Sequence, residues 1–343
     1  MNFTEEQSPN GQIADRLTAF CRFHTSDPRA LVSDVAALPG HAGLSFRFLL
    51  EYRADGEVKQ ESLVIRLAPA GVRPAGPADV ARQGRIMASL RGSGIPVPPV
   101  RWFGDDRRWF GGPYYVAGFV AGRGSVKGDQ ALNPGNAVSC ARAALSVMAK
   151  LHAADWRAVR AVWGDPVTVS AELARWDGLL RRPTLEPALV SAGAPLSRRL
   201  WASLAEAGPI GCIHGDFQWT NLLFAGQHVV AVLDWELAAI GPTLLDLGWL
   251  CLFCDASSWN TDLLVPSATP QPSQILALYE EITGRRLEAP LANRLRALAA
   301  YRFGVITIFN LMLHRRGKRV DPAWETLALS VPRMFERALE LCS

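Results

Sequence analysis

The chain has 343 residues, 49% hydrophobic and 20% charged, with 36 basic against 32 acidic residues for a net charge of +4. That balance supports a sizeable core and excludes global disorder, and the length admits two domains or one large one. Only four basic residues are lysines (Lys59, Lys127, Lys150 and Lys318). The rest are arginines, which suit oxyanions, but a surplus this small and dispersed gives no reason to expect nucleic acid.

The N-terminus, MNFTEEQSPNGQ, is acidic and polar, unlike a secretion signal. The longest strongly apolar stretch, Phe303 to Leu313, falls short of the ~18 residues of a membrane span. A cytoplasmic protein without a membrane partner is expected. The six cysteines are scattered, and Cys251 and Cys254 lie in the apolar, helical-looking run LGWLCLFC, which reads as packed thiols rather than a metal or redox site.

Along the chain, a helix is predicted over 13–24 and a short second one near 28–32. A strand over 45–53 follows, then an Asp55-Gly56 turn and a return strand over 61–67, because glycine accepts the positive φ of a tight hairpin. A Pro/Gly-rich loop, a helix over 79–90, a rigid turn at Gly94–Val100 and further strands ending at 114–120 complete a sheet-rich first third. Beyond about Gly122, helical patterns dominate: 134–152, 169–180, 197–207, 272–283 and 291–314. One β island, 221–233, interrupts them as a hairpin around Ala225-Gly-Gln.

The chemistry concentrates beside that island. His214-Gly215-Asp216 and Asn221 precede it, and Leu233-Asp234-Trp235-Glu236 ends it. A hairpin returns close to its origin, so Asp216, Asn221 and Asp234 converge. Two carboxylates and an amide oxygen suit a hard cation that shares its shell with phosphate oxygens.

The H-G-D-x-x-x-x-N segment, the hairpin and the following Asp resemble the catalytic core of the aminoglycoside phosphotransferase family, itself similar to protein kinases. Gly241-Pro242, Asp246-Leu-Gly-Trp249 and the Leu151–Asp155 segment extend the resemblance. Leu63-Val-Ile-Arg66 and Gly94-Ile-Pro-Val-Pro98 resemble most the branch related to the kinase-like domain of some acyl-CoA dehydrogenases. The resemblance covers roughly Val35 to Leu313. It implies an α+β, two-lobed kinase-like fold, with a nucleotide-binding lobe over 1–118 and a helical catalytic lobe over 119–343.

It also implies roles. Asp216 takes or orients the proton of an attacking hydroxyl, Asn221 and Asp234 hold Mg²⁺, His214 and Asp246 support the loop, and Glu236 is a further contact. Arg66 stands where kinases carry a lysine, and Gln83 where they carry its glutamate partner. Gly43 and Ser45, with Gly40, replace the kinase glycine loop, and Tyr115, Ala117 and Phe119 form an interlobe hinge whose backbone reads the nucleobase. Trp219 and Trp259 are candidate substrate contacts.

The expected activity is Mg²⁺-dependent transfer of the γ-phosphoryl group of ATP or GTP to a small-molecule hydroxyl. From 125 to 343 there are 21 basic and 20 acidic residues, no acidic excess to attract a polycation. A hydroxy-acid or hydroxyacyl thioester is therefore the preferred acceptor class, with an aminoglycoside or other antibiotic as the alternative. Gln83 and the missing glycine loop leave a nucleotide-binding pseudokinase as a third reading.

Overall fold

The computed structural model describes residues 9–38, 44–68, 76, 79–124, 131–182, 186–203, 208–260 and 268–343. These separate into two compact units. One comprises the described residues up to Gly92, Val97–Val120 and the short turn Trp235–Leu237; the other comprises Ser93–Pro96, Ala121–Asp234 and Ala238–Ser343.

The first unit contains α1 (Pro9–Thr25), β1 (Leu31–Ala37), β2 (Leu44–Ala54), β3 (Glu57–Leu67), α2 (Val80–Ser89), β4 (Val100–Gly104), α3 (Arg107–Phe110) and β5 (Tyr114–Gly118). Its strands form one antiparallel sheet in the order β1-β2-β3-β5-β4. The β2–β3 hairpin is in unbroken register from Leu44↔Leu67 to Ala54↔Glu57. It closes through Asp55 and Gly56, both at positive φ (56° and 83°), as the Asp-Gly pair predicts. Alternation along these strands puts Phe46, Phe48, Leu50, Leu63 and Ile65 on one face, where Leu17 and Phe20 of α1 cover them.

The expected helix at 28–32 is not formed; β1 occupies Leu31–Ala37 instead. Asp27 fixes the turn before it by accepting hydrogen bonds from the Arg29 amide (2.9 Å) and from the Arg53 amide of β2 (2.7 Å). That clamp delivers the chain to the sheet edge, where pairing with β2 overrides local helix propensity.

The second unit carries α4 (Ala137–Ala153), α5 (Trp156–Trp163), α6 (Val169–Leu180), α7 (Pro187–Ser203), β6 (Ile210–Ile213), β7 (Leu222–Ala225), β8 (His228–Val232), β9 (Ala239–Pro242), α8 (Leu244–Leu252), α9 (Pro272–Thr283), α10 (Ala289–Arg315), α11 (Ala323–Ala328) and α12 (Val331–Leu341). Helix α7 begins ten residues before its predicted start and runs through Pro195, which reads as a break in sequence. Two antiparallel pairs are nested. β6 pairs β9 from Ile210↔Pro242 to Ile213↔Ala239, and the β7–β8 hairpin lies between them in the chain. The fold thereby brackets residues 214–238.

Helix α10 is apolar around most of its surface, because α6, α7, α8, α11 and α12 pack on it from several sides. By length and composition it could cross a membrane, but the apolar window is 78% buried inside the protein, as in a core helix. Its Tyr301 hydroxyl donates to Asp177 (2.5 Å), which also accepts from Ser197 and Trp201. Cys251 and Cys254 are buried free thiols. Burial pushes the Cys251 thiol up to about 12 and raises that of Cys254 as well, so both are inert packing groups.

α8 and α10 approach closely at Gly248, where a Cβ would stand 2.7 Å from the Leu295 carbonyl oxygen. That oxygen belongs to helix backbone and cannot swing aside. Gly248→Ala is expected to cost about 1–3 kcal/mol by forcing the helices apart. Thermal unfolding tests this; a midpoint equal to wild type would show that the contact yields freely.

Candidate active site

The strand β6 ends in a loop whose geometry is set by Asp246, in the first turn of α8. Asp246 is fully buried. Its Oδ2 accepts from the His214 amide (2.8 Å) and its Oδ1 from the Gly215 amide (2.8 Å), so two consecutive backbone donors are held by one carboxylate. His152 at the end of α4 adds a third contact, Nε2 to Oδ2 at 3.3 Å, while its Nδ1 lies 3.0 Å from the Tyr279 hydroxyl. A carboxylate only accepts, so Nε2 of His152 carries the proton and Nδ1 accepts from Tyr279. Burial alone would raise the Asp246 pKa; the hydrogen bonds from His152 and the His214 amide outweigh it and hold the carboxyl below its usual range.

His214 is also fully buried. Its Nε2 donates to the Leu233 carbonyl (2.9 Å), and its Nδ1 accepts from the Asp216 amide (3.2 Å). Both ring nitrogens are therefore committed in a neutral imidazole, and burial lowers its pKa against the opposing pull of Asp246. The Leu233 amide in turn donates to the Asn221 carbonyl (2.8 Å). One residue thus ties the loop to the far end of the hairpin, and Asp234 follows it at φ +61°, a left-handed conformation that Asp tolerates better than most residues.

Asp216 is half-buried and densely hydrogen-bonded. Its Oδ1 accepts from the Trp249 indole (2.7 Å) and from Gln218 Nε2 (2.9 Å), and its Oδ2 accepts from Asn221 Nδ2 (2.8 Å). Burial, together with the charge of Asp234, pushes its pKa up to about 7, against the bonds from Trp249 and Asn221 and the charge of Arg302. Arg302 of α10 donates to the Gly215 carbonyl (2.6 Å), with its guanidinium 4.4 Å from the Trp249 ring centroid.

Asp216, Asn221 and Asp234 are thus brought together, as the hairpin predicts. Among the described residues no group of three or more His, Cys, Asp or Glu converges, so the donor set is two carboxylates and an amide. The Asn221 nitrogen is spent on Asp216, which leaves its oxygen to face a cation. Burial and the charge of Asp234 raise the proton affinity of Asp216, and a neighbouring positive charge would offset both. This arrangement fits a hard divalent ion that keeps water and substrate oxygens in its shell.

The remaining expected site residues lie in the first unit. Arg66 on β3 faces Ser45 on β2 across the sheet, with Nη1 3.4 Å from Ser45 Oγ, and Gln83 is buried on α2. Gly43 and Gly40 lie outside the described residues. The hinge expectation needs correction. Tyr115 and Ala117 sit inside β5, flanked by β3 and β4, and the Gly118 and Phe119 amides donate to Pro99 and Ser62. The backbone of Tyr115 and Ala117 is thus paired within the sheet. Glu236 is half-buried in the Trp235–Leu237 turn.

Trp219 and Trp259, the candidate substrate contacts, lie within the packed interior of the second unit. Both are buried, and the Trp259 indole donates to the Leu252 carbonyl (2.9 Å) while its ring packs on Phe253 and Phe303. Sequence reasoning missed the direct contacts of Trp249, Gln218 and Arg302. Trp249 closes the Asp-Leu-Gly-Trp motif and could have been weighed; Arg302, buried in an apolar helix, carries no sequence signal.

The committed imidazole of His214 makes stability pH-dependent. Its folded pKa lies below the unfolded value of about 6.5, so below that pH the unfolded chain binds a proton that the folded one refuses. Stability present above pH ~6.5 is lost as the pH falls toward the folded pKa. The urea midpoint of wild type should drop between pH 7 and 5. His214→Gln should unfold earlier at pH 7 and lose less on acidification; an unchanged slope would remove His214 from this account.

Comparison with known proteins places this geometry. The model of the phosphotransferase enzyme family matches residues 38–300. Mouse acyl-CoA dehydrogenase family member 11 is 29% identical over 298 residues, covering 82% of this chain and 36% of the relative. Mouse family member 10 is 28% identical over 199 residues, covering 55% of this chain and 18% of the relative. The chain therefore spans only a minor part of the curated relatives it matches. Among solved structures, a candidate aminoglycoside phosphotransferase from Ralstonia eutropha has a TM-score of 0.72 at 22% identity, covering 96% of this chain and 97% of that one. Aminoglycoside phosphotransferase APH(4)-Ia, bound to ADP and hygromycin B, has a TM-score of 0.62 at 16% identity, covering 94% and 98%. These likenesses establish a kinase-like fold, and with the family model matching most of its length, the chain belongs to the phosphotransferase enzyme family.

Proposed function

We propose that this chain transfers the γ-phosphoryl group of ATP or GTP to the hydroxyl of a hydroxy-acid or hydroxyacyl thioester. The observation that carries the reading is the Asp216 carboxylate. It is held by three donors in the loop that Asp246 anchors, and beside it stand Asn221 and Asp234.

Asp216 accepts the proton of the attacking hydroxyl and orients its oxygen in line with the γ-phosphorus. Asn221 and Asp234 would hold Mg²⁺, which when bound neutralises charge on the β- and γ-phosphates. Arg66 supplies a permanent positive charge for nucleotide phosphates, with Ser45 contributing a hydroxyl. Asp246 and His214 keep the loop in place and touch no reacting atom. Positioning and charge neutralisation supply most of the rate, because the transferring phosphoryl needs little covalent help.

Two observations favour the acceptor class. The 125–343 segment carries no acidic excess, as a polycation site would need. The curated relatives bear the name acyl-CoA dehydrogenase, which sets this kind of segment beside enzymes of acyl thioesters. A cytoplasmic location is part of the same proposal.

Purified protein with Mg-ATP or Mg-GTP and a panel of hydroxy-acids, their coenzyme A thioesters and aminoglycosides should phosphorylate a member of the first two groups. Asp216→Asn should lower kcat by about 10²–10⁴-fold. Nucleotide binding without turnover on any acceptor would favour the pseudokinase reading instead. Expression in a sensitive host should leave the inhibitory concentration of kanamycin unchanged; a clear rise would overturn the acceptor class while leaving phosphotransfer intact.

A further inference from the structure

The hydrogen bonds to Asp216 are distributed unevenly over its two oxygens. Oδ1 takes both the Trp249 indole (2.7 Å) and Gln218 (2.9 Å), while Oδ2 takes Asn221 Nδ2 (2.8 Å). An ionised carboxylate offers about two acceptor positions on each oxygen. Oδ1 is therefore filled, and Oδ2 keeps one position.

The donor that fills Oδ1 most closely is also the most rigidly held. Trp249 is 2% exposed. Its ring packs at tilted angles against Phe253 (5.6 Å) and Phe303 (5.9 Å), and the Arg302 guanidinium lies 4.4 Å from its centroid. Arg302 is pinned in turn by the Gly215 carbonyl and by Trp176, whose ring centroid is 5.3 Å away. The indole N–H thus comes from α8, stiffened by α10, and cannot turn away as a flexible amide can.

We propose that Trp249 is a positioning residue that fixes the rotation of the Asp216 carboxylate, so that Oδ2 alone receives the proton of the acceptor hydroxyl. The proposal deepens, and rests on, the reading of Asp216 as the proton acceptor. In that step the acceptor O–H bond breaks as its oxygen bonds to the γ-phosphorus. The bond from the γ-phosphorus to the bridging oxygen breaks with its electron pair leaving on the nucleoside diphosphate, and the proton passes to Oδ2. Without the indole N–H, Oδ1 regains an open position, the carboxylate can rotate, and the reacting geometry is diluted.

Two replacements separate this role from packing. Trp249→Phe removes the donor and part of the ring. 3-Benzothienylalanine at 249 keeps the shape of the indole and replaces N–H by sulfur. Turnover is read as Mg-ATP hydrolysis, with water as acceptor, and as phosphorylation of the most reactive hydroxy-acid of the panel.

Both replacements should lower kcat about 10–100-fold, the scale of an ångström-level misplacement, with KM for Mg-ATP unchanged. Independently of turnover, the ¹⁵N-indole resonance of Trp249, identified by its loss in Trp249→Phe, should lie downfield in the wild type and move upfield in Asp216→Asn. A kcat within twofold of wild type for the benzothienylalanine protein, or an indole resonance indifferent to Asp216→Asn, would overturn the proposal. Retention of wild-type kcat by Asp216→Asn itself would instead sink the underlying assignment of Asp216, a result the indole resonance does not share.

Discussion

A carboxylate with no exposed surface has to find its donors within the protein, and Asp246 finds two of them on the loop that carries the chemistry. The amides of His214 and Gly215 converge on it, and His152 completes the set. Once those two peptides are fixed, the direction in which Asp216 leaves the loop is fixed as well. The constraint works in both directions, because burying Asp246 without its donors would cost several kcal/mol. The loop cannot relax without stranding the carboxylate, and the carboxylate cannot be removed without freeing the loop.

From that anchor the site is assembled by backbone groups more than by side chains. Leu233 illustrates this. It is an aliphatic residue with no chemistry of its own, yet its carbonyl receives His214 and its amide donates to Asn221. Through one residue the end of β8 is tied to the loop before β7, and Asp234 is delivered next to Asp216. The nested β6–β9 pair then returns the chain to α8, which carries both Asp246 and Trp249. Strand pairing, not side-chain attraction, brings two mutually repelling carboxylates together, and burial together with the charge of Asp234 raises the Asp216 pKa to about 7.

What was legible in the sequence follows the same division. The His-Gly-Asp-x-x-x-x-Asn spacing, the Ala225-Gly226 turn and Asp234 are local signals, and the structure brings the three oxygen-bearing residues together where the hairpin places them. The helices over 169–180 and 272–283 are found at those bounds, since their apolar periodicity is continuous and capped. Elements held by partners distant in sequence were not legible. β1 depends on Asp27 reaching Arg53, β6 and β9 are four-residue strands that exist only as a pair, and α7 runs through a proline. Trp249 and Arg302 belong to this second group: only the crossing of α8 and α10 brings the indole to Asp216 and the guanidinium to the Gly215 carbonyl.

The departures from the kinase pattern in the first unit become coherent on the proposed function when charge is considered. A lysine near phosphates depends on its surroundings to stay protonated when partly buried, and a glutamate partner supplies that support. Arginine keeps its proton in any protein environment. With Arg66 in the strand, α2 no longer has to present an acid, and a buried neutral Gln83 avoids the desolvation cost of an ionised glutamate. The substitution of both members of the pair is then one change rather than two defects.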